Sequence, residues 1–396
     1  MANSSSLIIR PDAVIFPDGR IQPDIEVCIE QGRISELRPR KSRTGKEDGL
    51  LLSAAFVNAH SHLEYYDCIG RWKGVEYWKF IEEITELKPR RERAHVLEQA
   101  QIAAKLQLTT GISAIAEWMD WNVSLSALEE AKLDGRLFQE VITGYGNEDW
   151  ENEITIMKTL LEEHKRHIHL PITLAPHASF TVHPSVFEAL KTENPTSIHV
   201  AEHPIENEFF RFGKGPIAEA FRKRGIHFEP LGCSSIEYLD SKGFLKPTTQ
   251  LVHVCDVSRE EIEILASRGV TVAHCPRSNE NLLCPPAPVA RMREKEIPVG
   301  LGLDSAATSG EIDMFAEIRA ALRAAKIRGE PLTPEDVWTM ATTEGAKSIF
   351  LSRNWNIEQG GNPDLILINP GKARNLEELI RFASPRAITK LIRLKK

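Results

Sequence analysis

His60 and His62 stand one residue apart in FVNAHSHLE (56–64), directly after an apolar run over 50–57. In an extended chain, residues i and i+2 share a face. Both imidazoles would therefore aim at one point just past the end of a buried strand, an arrangement suited to a metal ion. The pair alone is weak evidence, because spaced histidines also occur on solvated strands and turns. Further ionisable residues follow apolar runs downstream. They are His177 in PHASFTVHP, His199 and Glu202 in IHVAEH, His253 in LVHVC, His274 in VAHCPRSN, and Asp304 in GLGLDS. Imidazole and carboxylate ligands suit Zn²⁺, and also Fe²⁺ or Mn²⁺. Any one of these residues could be an ordinary buried polar group with a backbone partner. As a set they imply convergence, because buried polar groups need partners.

Such convergence needs elements that bring distant segments together. Apolar, β-branched runs occur at 51–60, 112–117, 137–145, 170–177, 196–202, 250–255, 270–275 and 298–304. Between them lie stretches of helical period, at 94–108, 151–167, 205–224, 258–268 and 311–328. Alternation of this kind predicts an α/β fold, a parallel (β/α)₈ barrel of the TIM type. In such barrels functional residues sit at the C-terminal ends of strands, where the ionisable residues fall. At the chain ends the period changes to two. Short strands over 7–39 are punctuated by Asp-Gly and Gln-Gly turns, and strand-like runs return at 364–368 and 387–394. The expected organisation is a barrel over 54–354 with a small β-sandwich built from 1–53 and 355–396. Two unrelated edge hairpins are the alternative for the chain ends.

Composition narrows the partners. The chain has 396 residues and a net charge of −7, with no basic block. That argues against nucleic acid and anionic membranes and leaves a small-molecule substrate. No run reaches the ~20 apolar residues of a membrane span, and MANSSSLIIRPD lacks the pattern of a signal peptide. The six cysteines form no CxxC pair, so reduced thiols and a cytoplasmic location are expected. A homo-oligomer is compatible with all of this.

Together, NAHSH, PHASFTVHP, HVAEH, LVHVC, HCPRSN and GLGLDS resemble the amidohydrolase superfamily, in its chlorohydrolase/cytosine-deaminase branch. The likeness covers nearly the whole chain. NAHSHLE, VEYWKFIEEI, ENEFFRFGKGP and HCPRSN further resemble aminodeoxyfutalosine deaminases of the alternative menaquinone pathway. The resemblance implies that His60, His62, His199 and Asp304 ligate one divalent ion, Zn²⁺ foremost. The strand-four end offers His177 but no lysine to bridge a second metal. It also implies a mechanism in which His253 and Asp304 orient or deprotonate an activated water. Glu202 shuttles a proton to a ring nitrogen and then to the leaving ammonia.

The implied function is hydrolytic deamination of an adenine-type nucleoside, foremost 6-amino-6-deoxyfutalosine. Alternatives on the same scaffold are deamination of adenosine, S-adenosylhomocysteine, methylthioadenosine, guanine or cytosine, and s-triazine or cyclic-amide hydrolysis. A non-catalytic relative is an alternative of another class, opposed by the complete ligand set. His177, Glu64 and Trp78 are expected to face the substrate. Arg277, where many relatives carry an apolar or small residue, and Arg211 are candidates to grip a substrate carboxylate. A solvated arginine is the ordinary alternative for either, and a core role is the alternative for Trp78.

Overall fold

The computed structural model describes residues 6–41, 46–166 and 169–394. Eight parallel strands form its centre: β1 (Phe56–Ser61), β2 (Ile112–Met119), β3 (Asp134–Val141), β4 (Ile172–Pro176), β5 (Thr196–Val200), β6 (Thr249–His253), β7 (Thr271–His274) and β8 (Val299–Leu301). They make two four-stranded sheets, β1 to β4 and β5 to β8, each in chain order. Parallel bridges Ala178↔His199 and Ser61↔Asp304 join the sheets at both edges, so the strands follow one another around a closed circuit. Every residue of β1 and β2 is buried, as expected for strands covered on both faces. Helices follow most strands, and Phe56 on β1 packs edge-on against Phe315 and Trp338, with ring centroids 5.3 and 5.5 Å apart.

The chain ends form two smaller sheets. One has five strands and joins Ala13–Ile15, Ile21–Pro23 and Leu51–Ala54 to Leu365–Ile368 and Ile388–Ile392. The other pairs Leu7–Ile9, Ile25–Glu30 and Arg33–Pro39. The Gln31-Gly32 turn has positive φ at both residues (51° and 73°), the backbone a tight two-residue hairpin requires.

Two elements differ from the sequence reading. The apolar run 51–60 is two strands, because the chain changes sheets at Ala55. Its N–H bonds to the Asp364 carbonyl in the terminal sheet, while Phe56 N–H bonds to Gly111 beside β2. The helical stretch 205–224 is likewise two helices, Pro204–Phe212 and Gly215–Lys223. Gly213 ends the first in the left-handed region (φ 62°), and Pro216 starts the second. The expected end of the 151–167 helix, His167, lies outside the described residues; the helix runs over Trp150–Lys165. Among the described residues, no helix is long and apolar enough to cross a membrane.

Candidate active site

The end of β1 sets the first two groups. Phe56, Asn58 and His60 alternate with Val57, Ala59 and Ser61, and His62 follows just past the strand end (φ −130°, ψ 81°). The two rings lie 4.8 Å apart, centroid to centroid. β8 delivers the third group. Gly302 permits the approach, because a Cβ there would lie 2.8 Å from both His60 Cβ and Cys275 Sγ. Asn58 Oδ1 accepts from Leu303 N (2.8 Å), and Asp304 N donates to the His60 carbonyl (2.9 Å). The Asp304 carboxylate then sits 3.7 Å from Nε2 of both His60 and His62.

β5 adds His199, whose Nε2 lies 3.2 Å from that of His60. His199 Nδ1 is 2.9 Å from the His177 carbonyl, an acceptor only, so Nδ1 carries the proton and Nε2 presents a lone pair. Burial, foremost, and the neighbouring imidazoles push His199 well below the ordinary histidine range. Burial likewise holds His62 down at about 3, so these imidazoles are neutral and able to ligate. Burial alone would raise the Asp304 carboxyl, but His60, His253 and His62 hold it well below its usual range.

This donor set fits a divalent cation. His60, His62 and His199 have ligand atoms within 4.8 Å of one another, as do His60, His253 and Asp304. Two nitrogens each ~2.1 Å from one zinc at a tetrahedral angle would lie about 3.4 Å apart, close to the separation of the His60 and His199 nitrogens.

Glu202 and His253 stand beside this cluster. Glu202 Oε1 is 3.6 Å from His253 Nε2, and His253 Nδ1 is 2.8 Å from Asn279 Oδ1. That contact fixes the His253 tautomer with a lone pair on Nε2. Burial, foremost, lifts Glu202 to about 7, against His253 and a hydrogen bond from Tyr77. The backbone is strained here, with positive φ at Ala201 (50°), His253 (74°), Val254 (49°) and Asp304 (55°). Such residues cost roughly 1–3 kcal/mol each and persist only where surrounding bonds enforce them. Cys255 N and Asp256 N, both bonded to the Ala201 carbonyl, supply part of that enforcement.

The cluster floors a cavity of about 650 Å³. His177 and Trp78 line it, together with Tyr77, Lys88, Glu140 and Glu206. His177 Nε2 is 3.6 Å from Glu140 Oε1. Burial lifts Glu140 to about 8, against the pull of Lys88 3.4 Å away. Lys88 also pairs with Asp120 at 2.9 Å.

Sequence reasoning missed Tyr77, Lys88, Glu140 and Asn279. Glu140 is at the C-terminal end of β3, where a functional residue is expected. Reading that strand through to residue 145 hid it. Asn279 is the last residue of the quoted HCPRSN stretch. Tyr77 opens a helix and Lys88 directly follows it, and neither carries a strand-end signal.

Three residues expected to contact substrate, Glu64, Arg277 and Arg211, do not line this cavity. Glu64 is buried and does not line the cavity. Its carboxylate accepts from the N–H groups of Asp120, Trp121, Val123 and Ser124 at 2.7–3.2 Å, at the start of the Ser124–Ala131 helix. Arg277 donates to Glu317 at 2.5 Å and to the Glu311 carbonyl at 3.0 Å. Arg211 faces outward toward Glu237 and Glu261, at 3.5 and 3.4 Å. In each case, nearby partners within the protein take the charge. His274 ends β7 as expected, but falls in neither ligand cluster.

The Amidohydrolase family model matches residues 51–393. The chain belongs to that family. This amidohydrolase is 28% identical to the 5-methylthioadenosine/S-adenosylhomocysteine deaminase 2 of Archaeoglobus fulgidus, over 92% of this chain and 85% of that protein. Its fold is shared by a zinc-bound adenosine deaminase from Xanthomonas campestris (TM-score 0.83, 22% identity, 98% and 92% of the two chains). It is shared as well by Helicobacter pylori aminofutalosine deaminase in complex with methylthio-coformycin (TM-score 0.80, 21% identity, 98% of each chain).

Proposed function

We propose that the chain is a metal-dependent hydrolytic deaminase of an adenine-type nucleoside, with 6-amino-6-deoxyfutalosine as its substrate. One observation carries the reading: a buried carboxylate lifted to about 7, Glu202, stands beside His253 and a convergent set of metal ligands. His60, His62, His199 and Asp304 would hold the ion, with zinc the fitting choice for imidazole and carboxylate donors. When bound, such an ion supplies a water activated near neutral pH.

The protein's own groups do the rest. His253, held by Asn279, presents Nε2 to orient the reacting water. Glu202, lifted to about 7, is about half protonated near pH 7, and its acid form gives its proton to the ring nitrogen facing it. It regains a proton from the water and passes it to the amine as the ring carbon–nitrogen bond breaks. A new carbon–oxygen bond replaces that bond, and ammonia leaves. His177 and Trp78 both line the cavity that would hold the nucleoside. A cavity of about 650 Å³ is larger than a free base such as cytosine or guanine requires, which favours a nucleoside with a 5′ substituent. The relatives named as deaminases of methylthioadenosine and aminofutalosine support the same class.

The test joins metal analysis to an ammonia-release screen over 6-amino-6-deoxyfutalosine, S-adenosylhomocysteine, 5′-methylthioadenosine, adenosine, guanine and cytosine. Expected are one divalent ion per chain, loss of activity on chelation and turnover of the adenine nucleosides. Metal-loaded protein that releases ammonia only from the free bases would overturn the reading.

A further inference from the structure

Beyond the catalytic floor, the large cavity opens toward α1 (Tyr77–Leu87) and the Gly215–Lys223 helix, α2. Its walls there are apolar and partly aromatic. Tyr145 packs on Phe221 with ring centroids 5.3 Å apart, and Ile81, Ile217 and Ile226 continue the lining. Two cationic residues line the whole cavity, Lys88 and Arg224. Lys88 is committed to Asp120 and Glu140 at 2.9 and 3.4 Å. Arg224, just past the end of α2, pairs with no carboxylate among the described residues, and it is exposed. It also lines a neighbouring surface groove together with Trp78, Glu82, Glu219, Ala220 and Lys223. That shared lining places Arg224 at the mouth, where the cavity passes into solvent, away from the metal ligands on the floor.

We propose that Arg224 anchors the far end of the substrate, and that the 5′ arm reaching it crosses the apolar sleeve and ends in a carboxylate. The inference rests on the nucleoside-deaminase reading and adds the chemistry of the distal group. The physical argument is complementarity. An apolar sleeve gains from burying hydrocarbon or an aromatic ring, whereas a lone guanidinium at its exit favours a bidentate anion. An uncharged 5′ group would leave that guanidinium unused. Two substrate types carry such a carboxylate: the benzoate of 6-amino-6-deoxyfutalosine, and the amino-acid end of S-adenosylhomocysteine, which adds an ammonium. Glu82 and Glu86 also line the mouth. However, Glu82 already accepts from Trp78 Nε1 at 3.0 Å, and Glu86 faces Arg90 at 4.0 Å.

The experiment compares wild type with Arg224→Met and Arg224→Lys on three substrates: 6-amino-6-deoxyfutalosine, S-adenosylhomocysteine and 5′-methylthioadenosine, which lacks the carboxylate. The readout is the ratio of kcat/KM for each carboxylated substrate to that for methylthioadenosine. Arg224→Met is expected to lower the ratio for the preferred carboxylated substrate by about fivefold to fiftyfold, chiefly through KM. Arg224→Lys should recover part of it. The wild-type KM for that substrate should rise with ionic strength, and the Arg224→Met value should respond less. Whichever carboxylated substrate the wild type prefers, and loses in Arg224→Met, identifies the source of the carboxylate. If the variant slows all three substrates equally, or none, the anchor is overturned while the deaminase reading stands. If the metal-loaded wild type releases ammonia from none of them, both fall.

Discussion

Glu202→Gln separates proton transfer from everything else at this site. The amide matches the carboxyl in shape, so the cavity wall and the neighbouring metal ligands stay in place, but it cannot carry a proton between water, ring and amine. General acid–base catalysis by a positioned side chain is worth about 10²–10⁴ in rate, or about 2.7–5.4 kcal/mol of barrier. A fall of that size is expected in kcat at saturating substrate, measured by ammonia release, with metal content unchanged by elemental analysis. The pH profile supplies a second reading. The acid role needs protonated Glu202, which burial holds at about 7, so wild-type kcat/KM should decline above about pH 7 and Glu202→Gln should lose that limb.

Stability gives a third reading, of opposite sign. Burial raises the folded-state value from an ordinary 4.5 to about 7. The stabilisation from the buried neutral acid is therefore complete below pH 4.5 and lost as pH rises through 7. At pH 8 the ionised, nearly dry carboxylate costs wild type about 3 kcal/mol, from 2.5 pH units at 1.36 kcal/mol each. The metal-free variant should therefore unfold at higher denaturant concentration than metal-free wild type at pH 8, with a smaller difference at pH 5. A kcat within threefold of wild type would refute the shuttle assignment, whatever the stability data show.

Three further outcomes test the placement of residues around the site. Glu64→Gln leaves one acceptor oxygen for four backbone N–H groups, at roughly 1–3 kcal/mol per unmet buried donor. It should lower Tm with little change in KM, and a KM effect without a Tm effect would restore a substrate contact. Arg277→Met removes the guanidinium from Glu317, which is fully buried and keeps the backbone N–H of residue 277, at roughly 3–5 kcal/mol. Thermal unfolding should show this loss, with selectivity between carboxylated and uncarboxylated substrates unaltered; altered selectivity at wild-type Tm would contradict it. Asn279→Leu frees the His253 tautomer and should cut kcat about tenfold or more while metal content holds. Loss of the metal instead would mean that Asn279 supports a ligand.

Much of this site was legible in the chain because its chemistry is local. The i, i+2 spacing of His60 and His62 aims both rings to one side of a strand end. Strand–helix alternation then predicts that His199, His253 and Asp304 meet them at the same end of a parallel sheet. Glu202, three residues past His199, belongs to the same turn of chain.

What the sequence could not settle was which charges are free. Glu64, Arg211 and Arg277 are polar and near motif positions, yet packing supplies each with a partner from a distant segment: backbone N–H groups of 120–124, Glu237 and Glu261, and Glu317. Arg224, with no motif around it, faces an open cavity mouth instead. Strand boundaries failed for a related reason. Residues 51–60 read as one apolar run, but the chain leaves one sheet for another at Ala55. Types and spacings along a chain determine which groups share a face. Whether a buried charge meets solvent, a substrate or an opposite charge depends on segments tens to hundreds of residues away, and only tertiary packing decides it.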